Sequence, residues 1–83
     1  MTEHEILERL TAIFRDILDD DDIELTPQTT AADIKDWDSA NHINIVVSVE
    51  MRFGIKISNA QVEQLKNVGD FVALIAQKLD AKS

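Results

Sequence analysis

The sequence predicts an all-α fold: a small antiparallel bundle of three main helices and one short one, with a long first loop. Apolar residues recur at steps of three and four near both ends of the chain. The central run 39–53 lies between a helix-starting aspartate and a glycine. The one short alternating stretch, 55–58, has no partner strand in view. At 83 residues, a single domain spanning 1–83 is expected.

The first helix rests on Ile6, Leu7, Leu10, Ile13, Phe14, Ile17 and Leu18, which form one apolar stripe. Thr2 with Glu5 fits a capping box, so the helix should begin near Glu3. It should end at the acidic run 19–22, where four carboxylates repel one another and oppose the helix dipole. Residues 20–38 read as a loop holding the only proline, Pro27, and the cluster Thr26, Thr29 and Thr30. Ile23, Leu25, Ile34 and Trp37 should pin it to the core, with one short turn over 31–34. Loops of this length in small domains are often functional.

The run 39–53 is ambiguous by local rules. Ile43, Ile45, Val47 and Val49 alternate, and β-branched residues crowd the segment, which favours a strand. The helix reading rests on three features. Asp38 is a good N-cap; Ile45, Val49 and Phe53 fall four apart; and the run exceeds the usual strand of ~5–6 residues. Gly54 supplies the stop. A second apolar strip, Ala40, Ile43 and Val47, faces elsewhere, as in a helix that is deeply buried or lines a cavity.

Ile55-Lys56-Ile57-Ser58 reads as an extended connector. A short helix over 59–66 follows, with Val62 and Leu65 inward and Ser58 or Asn59 as cap. Asn67 caps the last helix, with Asp70 three residues on. Its stripe is Val68, Phe71, Val72, Ile75 and Leu79, and Lys78 and Lys82 complement the dipole at its end.

Composition narrows the function. Without cysteine there is no disulfide and no thiolate metal site, which suits the cytoplasm. The acidic N-terminus lacks the basic start of a secretory signal, and no apolar run reaches membrane-spanning length. A net charge of −8 argues against nucleic acid and for partners with basic docking surfaces. The charge is uneven: residues 1–39 hold 12 acidic and three basic groups, and residues 40–83 hold four and five. The acidic field thus ends at Ser39. A monomer is expected.

Three chemistries are conceivable at that serine. Asp38, Ser39 and His42 superficially suggest a hydrolytic triad. Packed into one turn, the carboxylate and the serine cannot take opposite sides of the imidazole, and no glycine-rich oxyanion hole or G-x-S-x-G is present. His42 is instead expected to be exposed or to touch a partner. The run 19–22 with Glu24 lacks the glycine and spacing of an EF-hand, leaving weak divalent binding at most. The third chemistry is phosphate attachment. A helix N-terminus offers free N–H groups and a positive dipole end, so a phosphodiester on Ser39 would be stabilised there. The strip Ala40, Ile43, Val46 and Val47 could receive an apolar chain hanging from it. The alternative is that Ser39 only helps to cap the helix.

The pattern Asp38-Ser39, an apolar helix with Glu50 ahead of Phe53, then Ile55-Lys56-Ile57 and a closing helix at 68–75, resembles the acyl carrier proteins and related phosphopantetheine-bearing carriers. The resemblance covers essentially the whole chain. It implies no enzyme activity. It implies that Ser39 receives 4′-phosphopantetheine from coenzyme A through a phosphopantetheinyl transferase, and that cargo is held as a thioester. Asp38 would cap the helix and aid transferase recognition. Ile43, Val46 and Val47 would border the cargo cleft, and Ala40, Asn41, Asn44 and Glu50 would belong to the partner surface. A loading ligase and downstream transferases would be the other partners. Two departures stand out. Ala40 replaces the leucine usual after the serine, and the second helix shows Asn41, His42, Asn44, Ser48 and Met51 where carriers of general fatty acid synthesis tend to be acidic. Trp37 also stands where those carriers tend to have a small residue. These departures point to a specialised fatty acid, lipid or polyketide pathway. An aminoacyl or peptidyl carrier and an unmodified acidic interaction module remain the alternatives.

Overall fold

Thr2 starts helix α1 (Glu3–Ile17): its hydroxyl accepts the Glu5 amide at 3.1 Å. The expected capping box is only half made, because the hydroxyl also points at the Glu5 carboxylate, 3.3 Å away. The computed structural model describes residues 1–82, the Lys82 side chain excepted, so the expected help of that lysine to the dipole lies outside the described residues. Ile6, Leu10, Ile13 and Phe14 are buried along α1. The helix ends with Asp19 in the left-handed region (φ 51°) and the Asp20 amide reaching back to the Arg15 carbonyl at 3.1 Å. Aspartate tolerates that conformation better than most residues.

Residues 39–53 form helix α2 (Ser39–Phe53), as the caps predicted and against the β-branched propensity. Gly54 takes the left-handed conformation (φ 67°) that closes it, and the Ile55 amide bonds the Glu50 carbonyl at 3.1 Å. Ile55 and Ile57 are buried in the extended connector. Ser58 and Gln61 make a full capping box at the start of α3 (Asn59–Glu63), which is shorter than the expected 59–66. Helix α4 (Val68–Lys82) completes the fold. α1 packs against both α2 and α4, and Phe14, Phe71, Ile45 and Ile75 lie at the centre with no exposure. None of the described helices is long and apolar enough to cross a membrane.

The first loop is ordered by the start of α4. All four amides that open that helix find acceptors. Val68 donates to the Thr29 carbonyl and Gly69 to the Pro27 carbonyl, each at 2.8 Å; Asp70 donates to the Asn67 side chain at 2.8 Å and Phe71 to the Asn67 carbonyl at 3.3 Å. Inside the loop the buried Thr29 hydroxyl accepts the Thr26 amide at 2.9 Å, and Arg15 holds the Ile23 carbonyl at 2.7 Å. Ile23, Leu25 and Trp37 are buried and Ile34 packs partly buried against them.

This docking requires glycine at 69. A Cβ there would sit 2.8 Å from the Pro27 carbonyl oxygen, which is backbone and cannot swing aside. Gly69→Ala should therefore push the loop off α4 and destabilise the protein by about 1–3 kcal/mol, the usual range for overpacking. A urea-unfolding midpoint equal to that of the parent protein would refute the close approach.

Candidate functional site

The loop delivers its last three residues to the start of α2 in a fixed way. Asp36 adopts φ 70°, and its carbonyl accepts the Asn41 side-chain amide at 2.7 Å. Asp38 caps α2: its carboxylate accepts the Asn41 amide at 2.9 Å, and its carbonyl accepts the His42 amide at 2.8 Å. Ser39 is thereby the first residue of the helix, and it is exposed. Its hydroxyl makes no hydrogen bond among the described residues, nor do the amides of Ser39 and Ala40. A free hydroxyl beside two free amides at the positive end of a 15-residue helix suits a phosphodiester.

His42 corrects an expectation. It is half-buried, not exposed. Its Nδ1 accepts the Trp37 indole N–H at 3.0 Å, and the Val62 backbone on α3 lies near enough to act on its pKa. The ring lies between Trp37 and Phe71, with centroids 5.9 and 6.1 Å away. Burial lowers its pKa below the ordinary value, and the Val62 carbonyl opposes this more weakly. With Nδ1 accepting the indole N–H, the neutral ring carries its proton on Nε2, and His42 has no free lone pair to take a proton from Ser39. The triad geometry is thus excluded by contacts as well as by spacing.

Two clefts run along the seam between α2 and α3 and meet at Val62. One, of about 310 Å³, lies beside Ser39 over Trp37, His42 and Leu65. The other, of about 350 Å³, is bounded by Ile43, Val46, Val47 and Glu50 on α2. Val46 forms its buried floor, while Ile43 and Val47 are exposed apolar lips. Ala40 and Asn44 are exposed on the same helix, and Met51 is 78% exposed. The Glu50 carboxylate accepts the Ile57 amide at 3.0 Å and so ties the connector to α2. Asn41 is likewise tied to the loop by its bond to Asp36. Sequence reasoning did not find Ala31 or Lys66 at the cleft beside Ser39, and no local pattern marks them.

A family model described as the phosphopantetheine attachment site matches residues 8–75. The chain belongs to the acyl carrier protein family. It is 32% identical over 81 residues to the acyl carrier protein of Thermosynechococcus vestitus, covering 98% of this chain and 100% of that one. It is 34% identical over 82 residues to the meromycolate extension acyl carrier protein of Mycolicibacterium smegmatis, covering 99% and 82%. The solution structure of holo acyl carrier protein from Geobacter metallireducens superposes with a TM-score of 0.86 at 47% identity, over 92% of this chain and 87% of that one. Acyl carrier proteins are carriers, not enzymes, and their prosthetic group is covalent 4′-phosphopantetheine. The four-helix fold and this chemistry agree with what the residues implied.

Proposed function

We propose that Ser39 is the attachment point of the arm and that this carrier serves a specialised fatty acid, lipid or polyketide pathway. The observation that carries the reading is the unbonded Ser39 hydroxyl at the first position of α2, beside two free amides and an apolar groove. In loading, the bond from Ser39 Oγ to phosphorus forms as the pyrophosphate link of coenzyme A breaks; the nucleotide half leaves, and the hydroxyl proton passes to the transferase or to solvent. Asp38 holds the helix start in place, and the arm's thiol then carries the acyl group as a thioester. Ile43, Val46 and Val47 shelter the cargo. Ala40, Asn44 and the neighbouring neutral positions, with little charge to steer association, present this helix to dedicated partners: the phosphopantetheinyl transferase, a loading ligase and downstream acyltransferases. Trp37, packed beneath the site, supports a specialised role.

The test is loading. Purified protein is incubated with magnesium, coenzyme A and a broad-specificity phosphopantetheinyl transferase, and its intact mass is measured. One added arm is expected, mapping to the peptide that contains Ser39. No addition with several transferases would make the chain an unmodified acidic interaction module instead. Exclusive charging by an amino-acid-activating ligase would reassign the cargo to the aminoacyl class.

A further inference from the structure

α3 fully buries none of its five residues, so apolar packing alone holds it weakly. α2 grips this side of the groove at two places eight residues apart. Glu50 accepts the Ile57 amide just before α3, and His42 lines the cleft together with Val62 within it. His42 also reaches the other way, to the Trp37 indole two residues before Ser39. One imidazole therefore joins both walls of the cleft beside Ser39, the loop and α3.

We propose that His42 is a positioning residue for the attachment site: its neutral ring clasps Trp37 to α3, and protonation undoes the clasp. Donor and acceptor chemistry fixes the tautomer. The indole N–H can only donate, so Nδ1 must be an unprotonated acceptor and the proton must sit on Nε2. A second proton would go to Nδ1 and set two N–H donors against each other at 3.0 Å. The ring is confined between Trp37 and Phe71, so the conflict is relieved only by moving the imidazole or the indole. Either movement reshapes the cleft at Ser39.

The charged neighbours oppose one another. Asp38 on the loop side and Lys66 on the α3–α4 connection border the same cleft, exposed and opposite in sign. Glu63 of α3 borders the adjoining groove, and Asp70 of α4 is engaged with the Lys66 amide. From α1, the uncharged Phe14 packs against Trp37. Burial thus sets the direction, towards the neutral ring. The sign follows: the unfolded chain takes its proton near 6.5, and the folded chain takes it lower. The stability contributed by the neutral ring is complete above that pH. It is lost as pH falls through 6.5 and then through the folded value.

This inference rests on Ser39 being the attachment point, and two measurements separate the two claims. Trp37 is the only tryptophan, so its indole N–H gives a single resonance in the unmodified protein. That resonance should move, and its exchange with water quicken, as pH falls from 8 to 5. In His42→Gln, which keeps an acceptor and a donor but cannot titrate, it should stay in place. The other histidine, His4, pairs with Glu8 on α1 at 3.0 Å and serves as a control through His4→Gln, which should leave the titration intact. Next, loading rates by one transferase are normalised to pH 8 for parent and His42→Gln. One unit below the His42 midpoint, the parent should have fallen about tenfold relative to the variant, following the neutral fraction. A Trp37 resonance that does not titrate in the parent sinks the clasp whatever the variants do. Equal pH profiles in two loading-competent proteins sink the positioning role. Failure of the parent to load at pH 8 overturns the Ser39 reading and the positioning role with it, whereas failure of His42→Gln alone overturns the clasp as drawn and leaves the Ser39 reading standing.

Discussion

Phe14→Ala is expected to lower the stability of this carrier by about 3–5 kcal/mol, the range for truncating a fully buried aromatic ring. Phe14 has no exposed surface, and it meets the edge of Trp37 with ring centroids 4.8 Å apart. That pairing adds about 0.5–1.5 kcal/mol beyond area alone. Native stability runs at roughly 0.05–0.15 kcal/mol per residue, so a chain this short holds on the order of 4–12 kcal/mol in all. One substitution should therefore remove about a quarter or more of the total, and at the low end it should unfold the protein outright. Urea unfolding followed by circular dichroism measures the loss. Phe14→Leu should keep the fold, yet shift Trp37 fluorescence because the edge contact goes. A Phe14→Ala midpoint like the parent's would mean that the ring does not hold the loop to the core.

Much of the fold is readable from the chain because helix ends are local. Asp38 and Gly54 bracket α2, and those two residues outweigh five β-branched residues packed into 43–49. The stripes of α1 and α4 likewise name the buried residues directly, because a helix repeats every 3.6 residues. What is not readable depends on contacts that no local spacing encodes. The pairing of Pro27 with Gly69 joins residues 42 apart, and only the folded loop reveals why that glycine is there. Repulsion among four aspartates marks the end of α1 in the sequence, and the structure adds a left-handed turn at Asp19.

The site divides in the same way. Ser39 and Asp38 are legible because a cap is a two-residue statement. His42 is not, because Trp37 lies before the helix and five residues from His42, outside the i,i+3 and i,i+4 rules of a helix face. Glu50 reads from the sequence as a surface charge for partners, yet it is partly buried and engaged with the Ile57 amide. A glutamate's reach lets it serve either role, and its sequence neighbours do not say which.

Ser39→Ala should abolish loading completely while leaving stability within about 0.5 kcal/mol, as for a surface change that breaks no contact. The two effects separate because the helix cap is Asp38, not Ser39, and the Ser39 hydroxyl holds nothing in the fold. The other described serines are poor substitutes. Ser58 spends its hydroxyl on the Gln61 amide at 3.2 Å, and Ser48 lies mid-helix, where the amides are already paired. Incubated with coenzyme A and transferase, Ser39→Ala should show an unchanged intact mass and a parent-like urea midpoint. Addition of an arm to the variant would place the tether elsewhere. Loss of loading together with loss of fold would mean that the serine supports the helix start, contrary to its free hydroxyl.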